Sequence, residues 1–345
     1  MLSMSRLRGF LIGLLLWYLL WRTARAIGRP AGAMSWAGEA RALFASLGLL
    51  LAFLIAGAVW HRPMLALTGV DPEEIVVDFH SHTNVSHDVR NTLMRRFDTE
   101  ANRRWHRRAG FDAVFITDHN TVEGLKGVQS PGLAHPVVCP GIEMSAWGAH
   151  IVLLGDSLAV DRSRYSESFD GLLALLRVSD SMYGALSVAS LPEYRKNHWA
   201  RLDTLVAAGL DGFEIVNASP AANELDRKDR NSVIELARSR NRFVVGVSDS
   251  HGWGATSMVW NLVRTETPQG SDQCQAVLHR LHDGFDAVRV VERHRLRPDD
   301  WWPLWLTPVG MVWETWRSMG WPLTGAWVVW IWVLAGAGAM SRRRR

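Results

Sequence analysis

Cysteine is scarce in this chain of 345 residues, which contains only Cys139 and Cys274. Two cysteines exclude a framework of several disulfides and a cysteine-rich zinc ribbon, while leaving room for one disulfide. The sequence also lacks a G-x-S-x-G elbow, a P-loop and a G-x-G-x-x-G fingerprint. These absences argue against an enzyme built on a Ser-His-Asp triad and against the common nucleotide-binding folds.

Positive charge is lacking where a nucleic-acid-binding domain would need it. The formal net charge is +4, but residues 60–298 contain 27 Lys and Arg against 30 Asp and Glu. The basic excess therefore lies in the flanks, which contain 11 basic residues and 4 acidic ones. A domain that binds DNA or RNA is expected to carry a basic face of its own, so we expect no nucleic-acid partner.

Long apolar runs occur only at the two ends of the chain, where most of the 18 Trp also lie. Residues 42–60 and 321–340 are long enough to cross a hydrocarbon core of roughly 30 Å, and we predict that both are transmembrane helices. The shorter run at 9–21 resembles the apolar region of a signal peptide. Residues 301–313 are rich in Trp but interrupted by prolines, and we expect them to lie in the membrane interface.

The sequence therefore predicts an N-terminal membrane region at 1–61, a central domain at 62–298 and a C-terminal membrane region at 299–345 with a basic tail. The 22–41 loop and the tail contain eight arginines, against five at the membrane-proximal ends of the central domain. Because positive residues are retained in the cytoplasm, we expect the central domain on the extracytoplasmic side of a lipid bilayer.

The central domain alternates strand-like and helix-like segments, which favours an α/β fold whose parallel sheet is covered by helices and can close into a barrel. The predicted strands are 75–80, 111–117, 137–142, 150–154, 186–190, 212–216, 243–248, 258–263 and 286–291. The predicted helices are 97–109, 165–182, 199–208, 222–240 and 271–283.

Side chains that can bind metal follow the first predicted strand. Asp78, His80 and His82 are spaced two apart, and residues at that spacing on a strand point to the same face. His87 and Asp88 lie five residues further along the chain. This spacing predicts a metal site where the strand gives way to a loop.

Histidines and acidic residues also mark the ends of later predicted strands. They are Asp118, His119, Glu143, His150, Asp249 and His251. In α/β folds the carboxyl ends of parallel strands meet at one edge, where the chemistry lies. Imidazole and carboxylate ligands without thiolate suit Zn²⁺, Mn²⁺ or Fe, and several neighbouring ions suit the hydrolysis of an anionic ester.

Four motifs in order, D-F-H-S-H-T, I-T-D-H-N, G-I-E and S-D-S-H, resemble those of the polymerase and histidinol phosphatase (PHP) family. The resemblance covers roughly residues 75–255. It implies a distorted (β/α)7 barrel of the PHP type, flanked in this chain by the predicted N- and C-terminal transmembrane helices. It also implies two or three divalent ions, Zn, Mn or Fe, at the mouth of the barrel, and phosphoesterase activity.

The same resemblance implies a set of metal ligands. These are His80, His82, His87, His119, Glu143, His150, Asp249 and His251. Glu143 would bridge two of the ions. The spacing favours His87 as the remaining ligand, with Asp88 as the alternative. Asp78 and Asp118 would accept hydrogen bonds from ligand imidazoles and so fix their tautomers.

One position departs from the family pattern. The family usually has a His-Pro pair after the strand predicted at 186–190, whereas this chain has Leu191-Pro192. Leucine cannot bind metal, so one ion has lost a ligand or takes one from elsewhere. His198 is a candidate substitute, although a solvent-facing histidine at the start of a helix is the plainer interpretation.

We therefore expect a membrane-anchored, metal-dependent hydrolase that uses a metal-bound hydroxide on a small-molecule phosphoester or related ester. His119 or His251, if not fully engaged as a metal ligand, would protonate the leaving group. One alternative is a hydrolase of carboxylic or carbamic esters or amides with the same fold. Another is a non-catalytic metal-binding sensor or scaffold, which the leucine at position 191 favours.

Overall fold

The computed structural model of the chain describes residues 4–27, 35–59, 64–126, 135–155, 160–219, 225–253, 259–265, 273–293, 302–318 and 321–343. The chain divides into two compact units. Residues 1–48, 293–296 and 300–345 form the first, and residues 49–292 and 297–299 form the second.

The helices are α1 (Met4–Ile27), α2 (Trp36–Val59), α3 (His87–Arg90), α4 (Thr99–Arg108), α5 (Phe169–Tyr183), α6 (Glu193–Asn197), α7 (Leu202–Ala207), α8 (Arg227–Ser239), α9 (Gln273–Leu281), α10 (Thr307–Ser318) and α11 (Trp321–Arg343). The strands are β1 (Glu74–Asp78), β2 (Ala113–Ile116), β3 (Val137–Ala146), β4 (Ala149–Gly155), β5 (Ala185–Ala189), β6 (Gly212–Asn217), β7 (Phe243–Val247), β8 (Val259–Arg264) and β9 (Arg289–Glu292).

The first unit consists of apolar terminal helices, within which the indole N–H of Trp17 in α1 donates to the carbonyl of Trp305. Among the described residues, Arg8–Ile27 is long and apolar enough to cross a membrane, a test that signal sequences also pass. The predicted spans at 42–60 and 321–340 fall within helices α2 and α11, apart from residue 60, which lies outside the described residues. Their crossing of a membrane remains a prediction.

The second unit is a mixed α/β structure with one nine-stranded sheet, in the order β7-β6-β5-β4-β3-β2-β1-β8-β9. The sheet is nearly closed. The edge strand β7 meets β8 through Asn261, whose amide donates to the carbonyl of Gly246 at 2.6 Å. Beyond the ends of β7 and β1, the N–H of Asp249 donates to the carbonyl of His80 at 3.0 Å. The seven strands β1 to β7 therefore curl round so that the ends of β1 and β7 meet.

The prediction of a parallel sheet is wrong in part. Strand β4 runs antiparallel to both β3 and β5, and the hairpin of β8 and β9 is added antiparallel to β1. Trp147 and Gly148, both with positive φ (58° and 69°), form the two-residue turn between β3 and β4, as expected for a tight hairpin. The start of β4 therefore lies at the same end of the sheet as the end of β3.

Side-chain caps begin the longer helices of this unit. Asp98, Ser168 and Asp226 precede α4, α5 and α8, and each accepts a hydrogen bond from a backbone N–H in the first turn. Such caps satisfy donors that the helix itself leaves unpaired. Gly184, with φ of 55°, ends α5 in the left-handed conformation that glycine adopts without strain. These caps fix where the covering helices begin against the sheet.

The single disulfide that the sequence permits is present. Cys139 in β3 and Cys274 in α9 are bonded, with their Cα atoms 5.5 Å apart, and both side chains are buried. The bond joins a covering helix to the middle of the sheet across 135 residues of chain.

Candidate metal centre

The candidate centre lies where the ends of β1, β2 and β7 meet β3 and the start of β4. The described histidines and acidic residues form three groups, in each of which the ligand atoms lie within 4.8 Å of one another. The inner group is His80, His82 and Asp249; the outer group is His82, Asp88, His119 and His251; and the bridging group is His119, Glu143 and His150. Of the predicted ligands, only His87 belongs to none of them.

The inner group has two buried histidines and a partly buried aspartate, with the spacing of a coordination sphere. The Nε2 atoms of His80 and His82 are 3.0 Å apart, and Asp249 Oδ1 lies 3.2 Å from His82 Nε2 and 3.7 Å from His80 Nε2. Ligands at about 2.0–2.1 Å from a tetrahedral zinc ion are roughly 3.3–3.4 Å from one another. These three side chains therefore fit a single cation.

Glu143 connects the groups. Its Oε2 lies 3.1 Å from His80 Nε2, 3.3 Å from His82 Nε2 and 3.0 Å from His119 Nδ1. Its Oε1 lies 2.8 Å from His150 Nδ1. Because β4 is antiparallel, the first residues of that strand bring His150 to the same rim as the residues that follow the parallel strands.

Several buried polar atoms of the centre have no hydrogen-bond partner among the described residues. They are His82 Nδ1, Glu143 Oε2 and Asp249 Oδ1. A buried carboxylate oxygen without a partner is costly, and such oxygens are usually satisfied by a donor or by a metal ion. The unsatisfied atoms of Glu143 and Asp249 point among imidazole nitrogens, as metal ligands do, so the residues present fit a cation.

The outer group contains Asp88, the alternative to His87. Asp88 Oδ2 lies 2.6 Å from His251 Nε2 and 3.2 Å from His119 Nε2. The hydroxyl of Ser86 donates to the other oxygen of Asp88 at 2.6 Å. His87 is exposed, and its ring centroid lies 4.9 Å from that of His119. The structure thus places Asp88, and not the favoured His87, in the outer group.

The imidazoles and carboxylates of the centre shift one another's pKa. Burial lowers the pKa of His80, but the carboxylates of Glu143 and Asp249 outweigh it and hold that pKa well above the usual value. Burial also opposes the charge of Glu143, yet the neighbouring imidazoles, led by His80, hold its pKa well below the usual range. His82 is different, because burial and the nearby His251 lower its pKa. The centre is thus built around compensated negative charge, which a divalent cation can also compensate.

Sequence reasoning missed Glu214, which is fully buried in β6. Its Oε1 lies 2.6 Å from His80 Nδ1, and its Oε2 accepts from the N–H of Leu191 at 2.8 Å. The Nδ1–H of His80 can donate to Glu214, which would leave the lone pair of Nε2 for an ion in the inner group, as in a metal-ligating imidazole. An acidic residue inside the apolar predicted strand 212–216 was the signal that could have revealed it.

The expected roles of Asp78 and Asp118 were wrong. Asp78 Oδ2 lies 2.9 Å from Nε2 of His106, which is not one of the predicted ligands. Asp118 accepts from the backbone N–H and the hydroxyl of Thr83, at 2.6 and 2.7 Å. Neither carboxylate accepts a hydrogen bond from the imidazole of a predicted ligand, although Asp78 Oδ1 accepts from the backbone N–H of His80 at 3.4 Å.

The position that departs from the family pattern is apolar in the structure. Leu191 is buried in the hydrophobic core. His198 is also buried, so the expectation of a solvent-facing histidine was wrong. Its ring stacks on Phe169, with centroids 5.5 Å apart, and it belongs to none of the three groups. His198 is therefore not a substitute ligand in this arrangement.

The chain matches no family model, and its sequence matches no curated protein. Among solved structures it is similar to PsfC from Pseudomonas syringae, with 14% identity, a TM-score of 0.45 and coverage of 71% of this chain and 98% of PsfC. It is similar to a proposed metal-dependent phosphoesterase from Bifidobacterium adolescentis, with 16% identity, a TM-score of 0.39 and coverage of 61% of this chain and 96% of the phosphoesterase. It is also similar to the lesion-specific endonuclease PfuEndoQ from Pyrococcus furiosus, with 12% identity, a TM-score of 0.42 and coverage of 63% of this chain and 57% of PfuEndoQ. Similarities this distant carry no argument about activity, which has to come from the chain's own residues.

Proposed function

We propose that this chain is a metal-dependent phosphoester hydrolase whose central domain, residues 62–298, is anchored in a membrane. One observation carries the proposal: the three groups are linked by shared side chains. His82 belongs to the inner and outer groups, His119 belongs to the outer and bridging groups, and Glu143 contacts residues of all three. Ions held by groups that share side chains would be close neighbours.

Neighbouring divalent ions supply Lewis acidity, which acidifies water and neutralises charge on the oxygens of a phosphoryl group. The donor atoms are imidazole nitrogens and carboxylate oxygens, which suit Zn²⁺, Mn²⁺ or Fe. Two or three such ions form the cofactor set that we propose.

Protein groups at the rim can complete the reaction. The side chain of His251 is 32% exposed, against 7% for that of His119, so His251 is the better placed of the two predicted proton donors to reach a bound substrate, provided that no ion occupies its Nε2. Its Nδ1–H donates to the carbonyl of Asp249 at 2.8 Å, which orients Nε2 toward the outer group. Buried Glu143 and Glu214 hold the imidazoles beneath it.

The proposal is tested on the full chain purified in detergent, stripped with a chelator and reloaded with Mn²⁺ or Zn²⁺. We expect metal-dependent release of p-nitrophenol from p-nitrophenyl phosphate or bis-p-nitrophenyl phosphate. Asp249→Asn should abolish it, whereas Glu235→Gln, at an exposed position on α8, should not. Hydrolysis of p-nitrophenyl acetate alone would replace this proposal with a carboxylic ester hydrolase. Full metal occupancy without any hydrolysis would favour a sensor or scaffold.

We also propose that the central domain lies on the extracytoplasmic side. The disulfide between Cys139 and Cys274 supports this location, because such bonds persist in oxidising compartments and are rare in the cytosol. Removing a native disulfide typically costs about 2–5 kcal/mol of unfolding free energy.

Labelling tests the location. In the variant Glu235→Cys, a membrane-impermeant maleimide should label intact cells, since position 235 is exposed. Labelling only after lysis would overturn the extracytoplasmic assignment, and so would reduced Cys139 and Cys274 in protein isolated under thiol-trapping conditions.

A further inference from the structure

The bridging group has three described ligands: His119, Glu143 and His150. Leu191 stands where the resembled family has a histidine, and its side chain lies in the hydrophobic core. A fourth protein ligand for an ion in the bridging group is therefore sought among the other residues of the loop and helix that follow β5.

Glu193, the first residue of α6, lies beside this group. Its Oε2 is 3.7 Å from His150 Nδ1, the nitrogen that also lies 2.8 Å from Glu143 Oε1. The same Oε2 atom is buried and has no hydrogen-bond partner among the described residues, although the side chain as a whole is 21% exposed. A carboxylate oxygen turned away from water and left unsatisfied beside two ligands is placed as a third would be.

The surrounding structure fixes Glu193 in this position. The hydroxyl of Tyr194 donates to the backbone carbonyl of Glu214 at 2.7 Å. The amide of Asn197 donates to the carbonyl of Gly148, in the turn that precedes His150, at 2.7 Å. Helix α6 is thus bonded both to β6 and to the β3–β4 turn, so the fold holds the backbone of Glu193 beside the strand that carries His150.

Other polar residues of this segment are already engaged. The hydroxyl of Ser190 donates to Glu214 Oε2 at 3.2 Å. Arg195 pairs with Asp229 at 2.6 Å, and an arginine is no metal ligand in any case. Within the described part of this segment, Glu193 is the residue that presents an unsatisfied oxygen to the bridging group.

We propose that Glu193 is the fourth protein ligand of the ion held by His119, Glu143 and His150, and that it replaces the imidazole that Leu191 does not supply. The inference rests on the metal centre of the proposed function. Two carboxylates and two imidazoles make this site richer in oxygen than one with three imidazoles. Because harder oxygen ligands suit Mn²⁺ better than they suit Zn²⁺, the bridging site should lean toward Mn²⁺.

Metal content tests the assignment without reference to activity. Full-length protein, Glu193→Gln and the matched control Glu167→Gln, whose side chain is 84% exposed, are loaded with Mn²⁺, dialysed and analysed by elemental analysis and calorimetric titration. We expect Glu193→Gln to lose one ion per chain, with about 100-fold weaker binding at that site, because the ion loses one of its four protein ligands.

Ligand replacement separates coordination from structural damage. We expect Glu193→His, or the double variant Leu191→His/Glu193→Gln, to recover the lost ion and to shift the preference toward Zn²⁺. Equal stoichiometry and affinity in Glu193→Gln and Glu167→Gln would overturn the assignment of Glu193 while leaving the hydrolase proposal intact. A wild-type chain that binds no metal would overturn both. A wild-type chain that binds metal without hydrolysing esters would overturn only the hydrolase.

Discussion

The inner and outer groups use the same kinds of ligand but differ in how the fold holds them. His80 and His82 of the inner group are almost completely buried. In the outer group, the side chains of Asp88 and His251 are 29% and 32% exposed. The difference teaches that one centre can contain a site built into the sheet and a site built on its rim. We expect the inner ion to bind tightly and the outer ion to exchange with solvent.

The support behind each group explains the difference. Backbone hydrogen bonds join the segments that follow β1 and β7 at the inner group. The N–H of Asp249 donates to the carbonyl of His80, and the N–H of His82 donates to the carbonyl of Ser250, both at 3.0 Å. Asn217 adds a hydrogen bond to Asp249 Oδ2 at 3.1 Å. The outer group depends on Asp88, which lies on the four-residue helix α3. Ordered ligands lose less entropy on binding an ion than mobile ones do.

The largest effect should follow from His80→Ala. This change removes an inner ligand and also an imidazole that contacts three carboxylates, the buried ones of Glu143 and Glu214 and that of Asp249. Leaving buried charges without a partner costs about 3–5 kcal/mol, so we expect metal-free protein to lose about that much unfolding free energy. Chemical denaturation with and without chelator measures it. An unchanged denaturation midpoint would show that His80 does not balance the charge of the carboxylates around the inner group.

Asp88→Asn should remove the outer ion and spare the inner one. Losing one of four ligands should weaken binding by about 100-fold, because the roughly 10–16 kcal/mol of a site is distributed over its ligands. Two binding phases in a calorimetric titration with Mn²⁺ would separate the ions, and only the weaker phase should change. Loss of both phases would mean that the two groups form a single cooperative site.

Glu214→Gln should weaken the inner ion without removing any ligand. The amide would keep the shape of the side chain but present no charge to the Nδ1–H of His80. Changes of such supporting carboxylates typically cost about 10–100-fold in metal affinity. Metal titration against Glu235→Gln measures the effect, and the outer phase should stay where it is. Equal affinity for the inner ion in Glu214→Gln and Glu235→Gln would show that Glu214 does not support His80 as a ligand.

Much of the second unit could be predicted from its sequence because strand patterns are local. Each predicted strand overlaps an observed one, although residues 286–287 lie in a 3-10 turn and residue 258 lies outside the described residues. The strand period of two did not place the ligands, because β1 ends at Asp78, whose carboxylate contacts His106, and His80 and His82 lie in the loop that follows. Strand direction is not local, so the antiparallel course of β4 was missed. The pairing of His80 with Glu214 spans 134 residues, and no pattern within one strand reports such a contact. The choice between His87 and Asp88 depends on which way the first turn of α3 faces.

The smallest effect on stability and metal binding should follow from His87→Ala. His87 and Asp88 are adjacent on α3, and the turn of the helix directs the Asp88 carboxylate toward His119 and His251 while the His87 side chain remains exposed. His87→Ala should therefore change stability by no more than about 0.5 kcal/mol, as surface substitutions usually do, and leave every binding phase unchanged. Metal titration beside Asp88→Asn makes the comparison between neighbouring residues. If His87→Ala instead lost the outer ion while Asp88→Asn kept it, the rim site would have to be rebuilt around a rotated α3, and the contrast between a fixed inner group and an adaptable outer one would become sharper still.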